Sequence, residues 1–314
     1  MFVLGMHRSG TSATTGLLES LGLIGPDPRR RFAPTAYNAR GNQEHVDLTE
    51  RNERLLQHFG GRWDAPPDLP EHWVDSPTLL DWRPEAQRLF DEAIPGAPWV
   101  WKDPRLSITL PFWENILVGR HLFVLAVRHP VAVAESLTRR NRLRMPVGVA
   151  LWEHYNLSAL RLLSGRRCFV QHYDDLVEDP QGAADALAGW LREHDMVPPA
   201  GSTPGDVALP DPSLRHQTMP AQTDEDTLTP QQSRLWDLIR SLEGEVVVPP
   251  HSSLPQPHPL SVALLAERRD LLAQVSVERE RARTHMRRDP VLWIRRMTTL
   301  VFPRKASRAG ARGR

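Results

Sequence analysis

The chain opens on an apolar triplet, Phe2-Val3-Leu4. A glycine-flanked polar turn over residues 5–10 follows, and then a helix-compatible run over 11–21 that stops at Gly22. Residues 25–46, rich in Pro, Arg and polar groups, predict a surface loop. From Asp47 onward, Leu48, Leu55, Leu56 and Phe59 share one face of a helix that Gly60-Gly61 ends. Trp99-Val100-Trp101 predicts a short strand ending at Lys102, and residues 121–127 predict a buried strand running into Arg128-His129-Pro130. Helices are expected over 131–140, 146–163 and 180–194, with a further strand over 168–170. Short apolar strands alternating with helices call for a parallel sheet covered on both faces, a three-layer α/β/α architecture.

After about residue 195 the pattern weakens into prolines (Pro198, Pro199, Pro204, Pro210, Pro212, Pro220, Pro230). A helix over 231–242 follows, and then a Pro-rich link over 249–259. A densely charged helix over 261–288 comes last, with Leu264, Leu265, Leu271, Leu272 and Val275 at helical spacing. The 314 residues suffice for a full core, and 40% hydrophobic with 25% charged residues excludes wholesale disorder. The single cysteine, Cys168, excludes a disulfide framework and a cysteine-rich zinc site, and it suits a reducing compartment. The longest strongly apolar run, residues 122–127, is far short of the roughly 20 needed to span a bilayer. A glycine-rich loop starting at Gly5 leaves no room for a signal peptide, so a cytoplasmic protein is expected. The net charge of +1 conceals an asymmetry. Twelve of the 39 Lys and Arg residues fall in 279–314 against only Glu280 and Asp289, so an acidic body carries a basic tail.

Chemistry concentrates first in Gly5-Met6-His7-Arg8-Ser9-Gly10-Thr11-Ser12. This G-x-x-x-x-G skeleton between a strand and a helix is that of a P-loop, whose backbone N–H groups and helix N-terminus favour an anion. Thr11 stands where a nucleoside-triphosphatase has its lysine, which argues against a triphosphate, and Arg8 supplies positive charge inside the loop. At the end of the 121–127 strand stands Arg128, where a magnesium-dependent P-loop enzyme wants a carboxylate. Ser136 falls two turns into the next helix, and an arginine fork with a hydroxyl makes a phosphate site. Two phosphate sites without a magnesium ligand point to a nucleotide with separated monophosphates.

In these motifs the chain resembles the PAPS-dependent sulfotransferases, particularly bacterial members related to the carbohydrate and tyrosylprotein types; PAPS is 3′-phosphoadenosine 5′-phosphosulfate. The resemblance rests on Arg8-Ser9-Gly10-Thr11-Ser12, on Arg128 with Ser136, on Lys102-Asp103-Pro104-Arg105 and on Tyr173-Asp174-Asp175-Leu176. Asp211-Pro212-Ser213-Leu214-Arg215-His216 looks like the end of such domains. It implies a P-loop three-layer α/β/α fold over residues 1–245, a linker over 246–260, a charged and pairing-capable helix over 261–288 and a basic tail over 289–314. It also implies PAPS as co-substrate without a metal. Arg8, Ser9, Gly10, Thr11 and Ser12 would hold the 5′-phosphosulfate, and Arg128 and Ser136 the 3′-phosphate, with Arg215 a candidate. Arg8 departs from the cytosolic small-molecule enzymes, which carry lysine there, and their glycine-rich C-terminal motif is missing.

Lys102 is expected near the sulfuryl group, where a fixed cation offsets charge developing on the oxygens. Glu44, in Gly41-Asn42-Gln43-Glu44-His45, is the candidate base for the acceptor hydroxyl, with His45 and His7 as alternatives. A carbohydrate or glycosylated metabolite is the expected acceptor, with Trp63, Trp73 and Trp82 as candidate stacking surfaces; no nucleic-acid partner is expected. A P-loop kinase, in which Asp174 would hold magnesium, and a non-catalytic nucleotide-binding module are the competing readings. Val291-Leu292-Trp293-Ile294, Met297, Leu300, Val301 and Phe302 among the tail cations suit an anchor lying on an anionic inner membrane face.

Overall fold

The computed structural model describes residues 1–33, 43–196 and 227–288. Its centre is a five-stranded sheet of β1 (Phe2–Leu4), β2 (Trp101–Lys102), β3 (Phe123–Val127), β4 (Arg167–His172) and β5 (Gly244–Val247), in the order β2-β1-β3-β4-β5. The first four strands pair in parallel, with Phe2 opposite both Trp101 and Phe123. The all-parallel expectation is corrected at one edge. There β5 runs antiparallel to β4, with Cys168 opposite Val246.

Alternation along each strand sorts side chains between two cores. Phe2, Leu4, Phe123, Leu125, Cys168 and Val170 enter one. That core also takes the apolar faces of α2 (Val46–His58), α3 (Pro77–Ala93), α4 (Leu106–Glu114), α5 (Pro130–Asn141), α6 (Met145–Leu162) and α9 (Pro230–Arg240). Val3, Val124 and Phe169 face the opposite way, against α1 (Thr11–Ser20) and α8 (Pro180–Glu193). Two helical layers therefore sandwich the sheet, and the three-layer α/β/α class holds. The Trp73 and Trp82 rings pack at the helical layer, on Phe59 and His58.

Two compact units divide the chain, Met1–Ala266 and Glu267–Arg314. Val248 and Leu254 of the Pro-rich stretch are buried in the first unit, as are Ser261 and Leu265 at the start of α10 (Pro259–Arg288). Glu153 of α6, 1% exposed, holds that segment: its carboxylate accepts from His258 N (2.7 Å), Gln232 Nε2 (3.1 Å) and Ser261 Oγ.

From β1 the chain crosses to β2 on one side, while β3 lies on the other. This order makes a topological switch point outside the carboxyl ends of β1 and β3, the crevice where open α/β sheets bind ligands.

Candidate functional site

Four strand ends converge on that crevice: the loop after β1, Lys102 at the end of β2, Arg128 after β3, and Tyr173, which opens the short helix α7 (Tyr173–Glu178) after β4. The loop needs its glycines. Gly5 has φ of 134°, and a Cβ there would lie 2.3 Å from the Ala126 carbonyl oxygen of β3. Gly10, the N-cap of α1, has φ of 87°, and a Cβ there would lie 2.5 Å from Tyr173 Cδ2. Arg8 is itself left-handed at φ 73°, a conformation that costs a non-glycine residue on the order of 1 kcal/mol and needs support. The support comes from both sides of the sheet's midline. Arg8 Nε donates to Ser136 Oγ (2.8 Å), and Arg128 Nη1 donates to the Arg8 carbonyl (3.2 Å).

No side chain caps α1, and its first turn carries no acidic residue. Its leading N–H groups thus lack intrahelical partners, as helix starts do, and carry partial positive charge. Ser9 Oγ, buried in the same loop, has no hydrogen-bond partner. Around this cradle the cations accumulate. Burial, with the positive charge of Arg140 and Arg128, lowers the Arg8 guanidinium to about 10. Burial also lowers Arg128, opposed by Tyr173 and Asp174, and its guanidinium lies 4.2 Å over the Tyr173 ring. Uncapped amides, an orphaned hydroxyl and clustered arginines fit an anion.

Lys102 is 1% exposed. Its Nζ reaches Glu44 Oε1 at 2.5 Å and donates to Ser12 Oγ at 2.8 Å. Burial lowers its pKa against the opposing pull of Glu44. Glu44 Oε2 is buried with no hydrogen-bond partner. The structure thus joins three residues that sequence reasoning placed separately: the lysine at a strand end, the carboxylate before α2 and the serine opening α1.

Other expectations separate. His45 is the N-cap of α2; its charged neighbours are Asp47 (Nδ1 to Oδ2, 3.8 Å), Arg30, Asp27 and Arg31, so it is not brought to Lys102. Ser136 meets Arg8 rather than pairing directly with Arg128. Asp103 closes a turn by accepting from Arg105 N (2.9 Å) and also accepts from Asn52 Nδ2 (3.0 Å). Trp63 packs on His7, with ring centroids 4.6 Å apart. Arg215 and the tail 289–314 lie outside the described residues. Arg140 is the cation that sequence reasoning missed: it depresses both His7 and Arg8. Its signal was its place one turn beyond Ser136 on α5.

A doubly wound α/β sheet with an anion-binding loop at its switch point defines a nucleotide-binding transferase. The Sulfotransferase family profile matches residues 1–195, well over half of the chain, and the chain belongs to that family. Its chemistry is sulfuryl transfer. Among solved structures it is similar to the sulfotransferase domain from the Synechococcus PCC 7002 olefin synthase, at 21% identity over 75% of this chain and 93% of that chain, with a TM-score of 0.40. No curated protein sequence matches it. Among the described residues no helix is long and apolar enough to cross a membrane.

Proposed function

We propose that the protein transfers the sulfuryl group of PAPS to a hydroxyl on a carbohydrate or glycosylated metabolite, without a metal. The observation that carries this reading is Lys102 held between Glu44 and Ser12 at the mouth of the anion cradle. PAPS supplies an activated sulfuryl group whose S–O bond to the 5′-phosphate breaks as a new S–O bond to the acceptor forms.

The loop amides with Ser9, Gly10, Thr11 and Ser12 hold the 5′ end, and Arg8 adds charge. Arg128 and Ser136, linked through Arg8, hold the 3′-phosphate, with Arg215 an additional candidate. Lys102 supplies positive charge where the bridging oxygen becomes negative, in a dry setting that strengthens the effect. The Oε2 of Glu44 is unsatisfied and takes the proton from the acceptor hydroxyl. His45, turned to Asp47, is left out of the proton path.

Arg128 stands where a metal-dependent P-loop enzyme needs a carboxylate, which supports sulfuryl over phosphoryl transfer. Residues 279–314 hold the enzyme on an anionic cytoplasmic membrane surface. Truncation after Arg288 abolishes co-sedimentation with phosphatidylglycerol vesicles if so, and a full-length protein left in the low-salt supernatant refutes it. The catalytic reading is tested by screening sulfur-labelled PAPS against glycans, lipids and phenols in excess EDTA. Label moved to a hydroxyl acceptor supports it, and activity seen only with magnesium-ATP refutes it.

A further inference from the structure

His7 is a loop residue whose position the described machinery does not use. Its ring is wedged between two aromatics, 4.6 Å from Trp63 at 50° and 5.7 Å from Tyr155 at 79°. The wedge is fixed: the Tyr155 hydroxyl donates to the Trp63 carbonyl (2.7 Å), and Trp63 N donates to Glu53 (3.4 Å). His7 Nε2 is buried there with no hydrogen-bond partner. A polar atom so placed in a folded protein calls for a partner that binds later, because leaving it bare is costly.

Its neighbours say what that partner carries. The charged groups acting on the ring are Arg105, Lys102, Arg140 and Arg8, all donors. Had Nε2 the lone pair, this donor-rich setting would offer it a partner. Its lack of one assigns the proton to Nε2, as an N–H without an acceptor. Burial, reinforced by those four cations, holds the imidazole well below the usual histidine range, so the ring stays neutral. The loop amides beyond Arg8 serve the phosphate, while Lys102 beside Glu44 marks the transfer end.

We propose that His7 Nε2–H donates to an oxygen of the transferring sulfuryl group, sensing the sulfuryl and not the nucleotide. This rests on the reading of PAPS as the donor. A neutral donor aimed only at the sulfuryl contributes to PAPS binding and nothing to PAP, the nucleotide left after transfer.

The test is calorimetric titration of the full chain with PAP and with PAPS. His7→Phe keeps the ring packing on Trp63 and Tyr155 and removes the nitrogen. Expected is a loss of about tenfold in PAPS affinity with PAP affinity held within about twofold. His7→Gln, whose amide N–H reaches near the Nε2 position, is expected to return the PAPS-to-PAP ratio to within about threefold of wild type. Should His7→Phe not fold, His7→Leu carries the same expectation as His7→Phe. Parallel loss of both ligands, or an unchanged ratio, overturns the proposal. A wild-type chain that binds neither nucleotide overturns the PAPS reading instead.

Discussion

Gly10→Ala probes the geometry on which the site depends. The new methyl meets two obstacles that add. At φ 87° an alanine enters the left-handed region, at a cost of about 1–2 kcal/mol. Its Cβ also falls 2.5 Å from Tyr173 Cδ2, so the ring has to move. That ring lies under the Arg128 guanidinium at 4.2 Å, a contact contributing about 0.5–2 kcal/mol that displacement forfeits. Together the substitution lowers stability by about 2–4 kcal/mol, a fall in melting temperature of about 4–10 °C for a unit of this size. PAP affinity drops about tenfold, because Arg128 loses the platform that aims it. Scanning calorimetry measures the first effect and isothermal titration the second. A variant that melts with the wild type and binds PAP equally well refutes the reasoning, since the loop would then have room that the structure denies it.

Glu44→Gln is expected to keep PAP affinity while kcat falls at least about 10²-fold, as measured by steady-state sulfate transfer. Glu153→Ala strips three donors of their acceptor and lowers the unfolding free energy by about 3–5 kcal/mol in denaturant titration. His7, His45 and His129 are all held below their ordinary pKa, chiefly by burial. The unfolded chain takes up protons at these sites as pH falls through about 6.5 and the folded chain does not, so stability present above that pH is lost below it. Denaturant titrations of the ligand-free protein are expected to show this decline from pH 7 to 5.5. In His7→Phe the slope should be shallower by up to about 1.4 kcal/mol per pH unit.

How much of this was legible in the residues follows from which forces are local. β1, the loop and α1 could be read because an apolar triplet, a glycine turn and a helical run are contiguous. α3 escaped because its mean pattern is polar and Pro84 interrupts it. α4 escaped because seven of its nine residues are buried and no periodicity survives. β5 is four residues long and half-exposed, an edge strand with little apolar signal. In the site, residue types at strand ends were legible one at a time. Their partnerships were not. Arg8 meets Ser136 across 128 positions and Lys102 meets Ser12 across 90, contacts that only the crossover topology creates. His45 looked equivalent to Glu44 in sequence; a one-residue step into the N-cap of α2 turns it toward Asp47 instead.

The central claim is that the crevice over α1 holds a nucleotide through two separate phosphates and needs no metal to do so. Titration with PAP and with AMP in EDTA, repeated on Arg128→Ala, tests it most directly. PAP should bind at least about tenfold tighter than AMP, and Arg128→Ala should remove most of that preference. Equal affinity for PAP and AMP in the wild type, or a chain that ignores PAP and binds magnesium-ATP, would contradict it.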